Sequence, residues 1–313
     1  MLASREGAPS GLSSVQQAIK RSLFALGYYH QRLSRAVFPG VAVLCYHGIR
    51  TTDDSTQFSG LHVTKSTFER HCRLIAEACD PISLDEFREA RQIGRQLPPR
   101  SVIMTFDDGY RGVLEHGLPV LERYGIPAAV FVAAAPVLDQ QHFWFDALCR
   151  RDGEAAVTTA RALPYQKWRA LADSITTTAV ETESHRPLTR TELEQLAHSP
   201  LIEIGAHTMT HPTLSLAPIE EQQREIADCR ATLERVLGRP VSAFAYPYGN
   251  PFGDYTSETV AVVRDARFDL AFTTAGSFAT LECDPLQIPR FMMLDTVGDV
   301  ELGHRLAHSW RSA

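Results

Sequence analysis

The chain has 313 residues, 44% of them hydrophobic, with 31 Lys and Arg against 37 Asp and Glu and a formal charge of −6. That apolar content excludes a mostly disordered chain, and the mildly acidic balance lacks the basic face that nucleic acid requires. No run approaches the ~18 consecutive apolar residues of a membrane-spanning helix.

In chain order, the N-terminus is the first anomaly. Between Ala8 and Thr52 there is no Asp or Glu, whereas Lys20, Arg21, Arg32, Arg35 and Arg50 all fall there. Val15, Ile19, Leu23, Leu26 and Leu33 recur at roughly helical spacing, which predicts an amphipathic helical segment within residues 1–38. Such a helix either packs on the protein body, the commoner outcome, or lies on an anionic membrane surface. The apolar run 23–29 is short, is broken by Gly27 and lacks a small-residue cleavage site, so no secretory signal is expected. The expectation is a cytoplasmic protein, peripheral at most at the inner membrane face. The six cysteines form no CxxC pair, and reduced thiols are the simpler reading.

From Gly40 onward, apolar strand-like runs at 41–45, 102–106, 128–133, 201–205, 241–246 and 270–273 alternate with helical stretches at 66–78, 113–124, 219–237 and 257–266. Buried strands separated by amphipathic helices predict an α/β protein with a parallel sheet. Residues 136–200 break the rhythm. They open with Phe143-Trp144-Phe145 and continue as polar helical sequence at 165–174 and 191–197, which reads as a helical insertion between two strands. An aromatic cluster in a helical cap is more often core. The organisation expected is one catalytic domain over 39–313, preceded by the helical segment.

Three strand ends carry chemistry. Thr105-Phe106-Asp107-Asp108-Gly109-Tyr110 puts adjacent carboxylates where barrel and open-sheet enzymes place their sites. Gly205-Ala206-His207-Thr208-Met209-Thr210-His211-Pro212 offers two His four apart, able to face one metal if the segment turns helically. Phe244-Ala245-Tyr246-Pro247-Tyr248-Gly249-Asn250 is a tight loop that can aim a backbone N–H into a site. A carboxylate with two His, leaving coordination positions open, is a catalytic metal arrangement.

With these three motifs in this order, residues 41–291 resemble the polysaccharide deacetylase family, the NodB-type carbohydrate esterases. The resemblance implies a distorted (β/α) barrel with fewer than eight regular strands. It makes Asp107 the catalytic base, Asp108, His207 and His211 the ligands of a divalent metal, zinc first with cobalt or nickel as alternatives, and the Tyr248 N–H an oxyanion donor. The family's third motif carries, where Ala245 stands, an arginine that helps orient the base, and Arg290 in Ile288-Pro289-Arg290-Phe291 is the candidate to supply that support, grouped with the substrate and oxyanion residues. The family's late Leu-x-His element is matched nominally by Leu302-Gly303-His304, in a polar helix-like tail where a surface histidine is expected. Cys45-Tyr46-His47-Gly48 instead resembles the YHG element of the exopolysaccharide, poly-N-acetylglucosamine, branch, so the general acid is assigned to His47. The implied reaction is removal of N-acetyl groups from an amino-sugar glycan or its lipid- or nucleotide-linked precursor. O-deacetylation, sugar deformylation, or carbohydrate binding without turnover are the alternatives. The partner expected is the glycan, with Trp144 a candidate for stacking on a sugar ring, and no nucleic acid.

Overall fold

The computed structural model describes residues 14–51, 60–175 and 184–308. Ten strands occur among them: β1 Ala42–Tyr46, β2 Ile49–Arg50, β3 Val63–Thr64, β4 Asp80–Pro81, β5 Ser101–Phe106, β6 Ala128–Val132, β7 Ile202–Ala206, β8 Ala243–Ala245, β9 Leu270–Phe272 and β10 Phe291–Met292. All but β2 and β3 form one parallel sheet in the order β10-β1-β5-β6-β7-β8-β9, with β4 beside the start of β5. Ile288 bridges Phe272 of β9, and Phe291 and Met292 pair with Leu44 and Cys45 of β1. One short stretch therefore joins both edges of the curled sheet, giving the distorted (β/α) barrel expected from the sequence.

Period-2 alternation divides each strand between two cores. Val43, Ile103, Phe131, Ala245 and Phe272 fill a compact inner cluster, while Leu44, Met104, Val130, Ile204 and Phe244 join the larger one under the helices. With both faces covered, β1, β5 and β6 are buried throughout, which is why their sequences are continuous apolar runs. Gly205 is the tight point of the interior, since a Cβ there would lie 2.4 Å from the Phe131 ring and 2.9 Å from the Ala243 carbonyl oxygen. The predicted helices at 113–124 and 219–237 both contain a π turn, Val113–Gly117 and Arg224–Asp228. The helix Leu84–Ile93, with its Ser83–Glu86 capping box, was not anticipated.

Between β6 and β7 the described residues form five helices, Ala134–Asp139, Trp144–Asp152, Glu154–Ala160, Tyr165–Ile175 and Arg190–Ala197. Phe143, Trp144, Phe145, Leu148 and Trp168 give them a cluster of their own. The chain then returns as a strap: Gly112 N–H donates to Ser184 O at 2.7 Å, Arg111 N–H to Arg186 O at 2.8 Å and Leu188 N–H to Gly109 O at 2.9 Å. The strap lies against the turn that follows the paired aspartates.

The N-terminal helical segment is two helices, Ser14–Ala25 and Tyr28–Leu33, broken at Gly27 with φ 73°. They pack on a C-terminal helix, Asp299–Ala307, through Lys20–Glu301 at 2.7 Å, Tyr29 Oη–His304 Nδ1 at 3.1 Å and Arg32 Nε–Ala307 O at 2.8 Å. His304 is half-buried in that contact. The first 13 residues of the predicted segment lie outside the described residues.

The strap is anchored by Arg186, which forks onto Glu192 with two 2.8 Å hydrogen bonds. Burial alone would raise the Glu192 carboxyl, but Arg186 and the Thr189 N–H bring it from 4.5 down to about 2. A depressed acid stabilises the fold above its unfolded value and loses that contribution as pH falls through the folded one. Thermal unfolding of Glu192→Gln is therefore expected to show a lower midpoint than the native chain at pH 7. The gap should close between about pH 4 and pH 2; a gap unchanged at pH 2 would refute the assignment.

Candidate metal and catalytic site

Inner-face parity carries past the ends of β1 and β5, placing Cys45, Thr105 and Asp107 on one side. Asp107 N–H donates to Tyr46 O at 2.9 Å, so its carboxylate sits at the mouth of the barrel. Arg290, fully buried at the seam between β9 and β10, donates from Nη1 and Nη2 to the two Asp107 oxygens at 2.7 Å each. Its remaining donors go to Thr105 Oγ1 and Thr273 O, both at 3.1 Å, and its guanidinium lies over Phe131 and Phe272 at the top of the inner core. Burial would raise the Asp107 carboxyl, but Arg290 outweighs it and holds the group well below the usual carboxylate range. The Cys45 thiol, pushed well up by burial, donates to Asp107 Oδ2 at 3.4 Å. Arg290 thus lies behind Asp107 and fixes its carboxylate, the support looked for in place of the arginine missing at Ala245, but it is not on the cavity lining, which corrects its grouping with the substrate and oxyanion residues.

Asp108 departs in the opposite direction because its backbone is left-handed, with φ 73°. Its Oδ1 faces His207 Nε2 at 3.5 Å and His211 Nε2 at 3.3 Å. His207 follows β7 directly. Its Nδ1–H donates to Ala245 O at 2.7 Å, which leaves the Nε2 lone pair turned to Asp108. The segment from His207 to His211 does not turn helically. It is a loop with Thr208 at φ 67° and His211 at φ 60°, closed by the His211 N–H donating to Thr208 Oγ1 at 3.0 Å. Glu225, in the π turn, grips that loop: its carbonyl accepts from Met209 N–H at 3.0 Å and its carboxylate from Thr210 N–H at 2.8 Å. From the insertion, Trp144 Nε1–H donates to His211 O at 3.1 Å, and Phe145 packs on the His211 ring.

Tyr248, at φ 61°, completes the group, its ring edge-on to His211. Among the described residues six non-glycine residues have positive φ, and Asp108, Thr208, His211 and Tyr248 are four of them. Each such conformation costs on the order of 1–3 kcal/mol, and strain of this kind gathers at functional sites. No hydrogen bond among the described residues uses the Tyr248 N–H. A cavity of about 540 Å³ opens above, lined by His47, Asp107, Asp108, His207, His211 and Tyr248, with Phe145 and Arg161 on the insertion side. The His47 ring reaches this cavity, and burial lowers its pKa to about 4 despite the charge of Asp107. Trp144 does not line it: the indole is enclosed by Phe145 and Trp168 and leaves no face for a sugar, a correction to its stacking role.

Asp108, His207 and His211 offer a ligand atom each, all within 4.8 Å of one another. Burial and the charges of Asp107 and Asp146 hold the Asp108 carboxyl well above its usual range, and no hydrogen bond satisfies its buried Oδ1. Burial keeps both imidazoles neutral, as ligands must be. An unsatisfied carboxylate oxygen beside two neutral Nε2 atoms is a donor set that suits a late first-row divalent ion such as zinc. Cys45, His47 and Asp107 also lie within 4.8 Å. There, however, Arg290 already neutralises Asp107, and the thiol is held protonated.

Solved structures share this architecture. The Streptococcus pyogenes deacetylase PplD in complex with acetate superposes with TM-score 0.64 at 19% identity, covering 86% of this chain and 99% of that one. IcaB from Ammonifex degensii gives 0.61 at 20% identity, covering 86% and 97%. In sequence, the chain is 21% identical to the poly-beta-1,6-N-acetyl-D-glucosamine N-deacetylase of Escherichia coli K12 over 243 residues. It is equally identical over 239 residues to YxkH of Bacillus subtilis strain 168, a protein provisionally named a polysaccharide deacetylase. The match spans 34% and 66% of those relatives, respectively. The polysaccharide deacetylase profile matches residues 94–271, more than half of the chain. The protein belongs to the polysaccharide deacetylase family.

Breaking a buried ion pair by removing one partner costs about 3–5 kcal/mol, because the other charge stays buried and unpaired. Denaturant unfolding of Arg290→Gln is expected to show a loss of that size. A loss under about 1 kcal/mol, the scale of an exposed pair, would contradict the role given to the seam.

Proposed function

We propose that the chain is a metal-dependent hydrolase that removes N-acetyl groups from the amino sugars of a glycan or of its lipid- or nucleotide-linked precursor. The observation that carries this reading is the division of labour between neighbouring aspartates. Asp107 is locked ionised by Arg290, while Asp108 is aimed at two imidazoles 3.3 and 3.5 Å away. A divalent ion held by Asp108, His207 and His211 supplies Lewis acidity, lowering the pKa of water and polarising the amide carbonyl.

The protein's own groups supply the rest. Asp107, which Arg290 holds in fixed orientation, accepts the proton of the attacking water at the carboxylate. The Tyr248 N–H donates to the oxyanion as the carbonyl carbon becomes tetrahedral. An amide nitrogen leaves only when protonated, and His47, on the cavity wall beside Asp107, delivers that proton. Because burial keeps His47 neutral in the resting protein, it takes up during turnover the proton that the attacking water gives to Asp107 and passes it to the nitrogen as the C–N bond breaks. The E. coli relative, named a poly-beta-1,6-N-acetyl-D-glucosamine N-deacetylase, supports an N-acetylglucosamine polymer as the first substrate to try.

Acetate release from N-acetylglucosamine oligomers tests the proposal, with O-acetylated and N-formylated sugars as comparison arms. Chelation is expected to abolish release and zinc to restore it. Asp107→Asn should lower turnover by roughly 10²–10⁴-fold while retaining metal. His47→Ala should slow turnover without releasing metal, and loss of metal in that variant would remove His47 from the role of acid. Release undiminished after metal removal would end the metal mechanism.

We also propose that the N-terminal helix rests on an anionic membrane. Leu23 and Phe24 pack inward, whereas Val15 and Ile19 on the helix and Leu26 just past its end are exposed, as is Arg21, in a region with no acid from residue 8 to 52. Ile19→Glu with Leu26→Glu should abolish co-sedimentation with phosphatidylglycerol vesicles. Equal sedimentation of variant and native protein, or equal binding to neutral vesicles, would overturn it.

A further inference from the structure

Arg161 is the one guanidinium on the cavity lining among the described residues, and it belongs to the insertion, just past the helix Glu154–Ala160. Its guanidinium carbon lies 3.7 Å from the centre of the Tyr248 ring, close for a cation–π contact. Its Nη2 donates to Asp254 Oδ1 at 2.8 Å. Its own carbonyl accepts the Thr213 hydroxyl at 2.8 Å, two residues beyond His211. Asp254, largely buried, extends the connection: its Oδ2 accepts from Asn250 N–H at 3.0 Å and its carbonyl from Ser215 N–H at 2.9 Å. Arg161 therefore ties the insertion to the loop after β8 through its side chain and to the loop after the His pair through its carbonyl.

The Tyr248 loop needs such a tie. Its backbone is left-handed without being glycine, a conformation that persists only where surrounding contacts over-determine it. On the backbone side Thr274 supplies two of them, its hydroxyl donating to Tyr248 O at 2.8 Å and its N–H to Gly249 O at 2.9 Å. The buried Tyr248 hydroxyl has no hydrogen-bond partner, so the ring is held by its faces and edges, against Arg161 and His211.

We infer that Arg161 is a positioning residue: through the Tyr248 ring and Asp254 it holds the Tyr248 backbone N–H where the oxyanion develops. The insertion is then part of the catalytic apparatus and not a cover over core. The inference rests on the deacetylase reading for its kinetic consequence and on the geometry alone for its structural one, so the two can fail separately. A displaced oxyanion donor lowers kcat, because the lost interaction exists only in the transition state, whereas a substrate-binding cation would act on KM.

The experiment compares zinc-loaded native chain, Arg161→Ala, Arg161→Lys and Asp254→Asn in acetate release and in amide hydrogen exchange over residues 246–250. Arg161→Ala is expected to lower kcat roughly tenfold with KM moved less than about threefold, and to speed exchange at 248–250 while β7 is unchanged. Arg161→Lys, which keeps the charge but not the planar stack, should recover part of both effects. It also serves as the reporting variant if the alanine protein does not fold. A raised KM at unchanged kcat would make Arg161 a substrate-binding group, and unchanged exchange in all three variants would overturn the inference. If the native chain releases no acetate from any acylated sugar, the deacetylase reading falls, and the exchange measurement still decides whether Arg161 holds the loop.

Discussion

The Arg290–Asp107 pair stands at the point where the barrel closes. The short run from Ile288 to Met292 pairs with β9 on one side and β1 on the other, and between those two pairings it turns a guanidinium into the interior. A buried guanidinium needs a counter-charge and partners for its other donors; Asp107, Thr105 and Thr273 provide them. The same contact that satisfies the seam keeps Asp107 ionised and immobile. Closure of the sheet and readiness of the site are one electrostatic event.

Around that pair the site is built from strained loops braced by elements remote in sequence. Asp108, Thr208, His211 and Tyr248 adopt left-handed backbone, and each is gripped by groups that do no chemistry. Val132 O accepts from His207 N–H, Ala245 O fixes the His207 tautomer, Glu225 holds the Met209–Thr210 peptide, and Trp144 caps the His211 carbonyl. Preorganisation of this kind lets a site present charge without reorganising during reaction. It also explains the size of the insertion, whose apolar cluster presents Trp144, Phe145 and Arg161 to the two loops.

Legibility in the sequence followed length and repetition. Strands buried on both faces announce themselves as apolar runs, and six of the sheet strands lay where the runs were. The two-residue strands β4 and β10 leave no period to read, so the seam that positions Arg290 is visible only after folding. Arg290 itself was singled out to supply the orienting arginine that the third motif lacks at Ala245; that it would do so through a bidentate pair, fully buried and off the cavity lining, could not follow from one dimension. The aromatic triplet was legible as a cluster, but which ring faces the cavity was not. Trp144 turns inward to donate to a carbonyl, and Phe145 takes the position at the cavity. The helical turn expected between His207 and His211 failed for a related reason: four-residue spacing fits a helix, yet two left-handed residues bring the same Nε2 atoms to Asp108 by another route.

By itself the sequence determined the α/β alternation, the order of three motif-bearing strand ends and the residue types able to hold a cation and move a proton. These are local properties, set by side-chain periodicity and by chemistry a residue carries wherever it lies. Only the tertiary structure decided which of two adjacent aspartates is paired and which is left to face the imidazoles. That choice depends on a left-handed turn at Asp108 and on an arginine arriving from 183 residues away, and burial makes both decisive by removing the water that would otherwise level the two carboxylates.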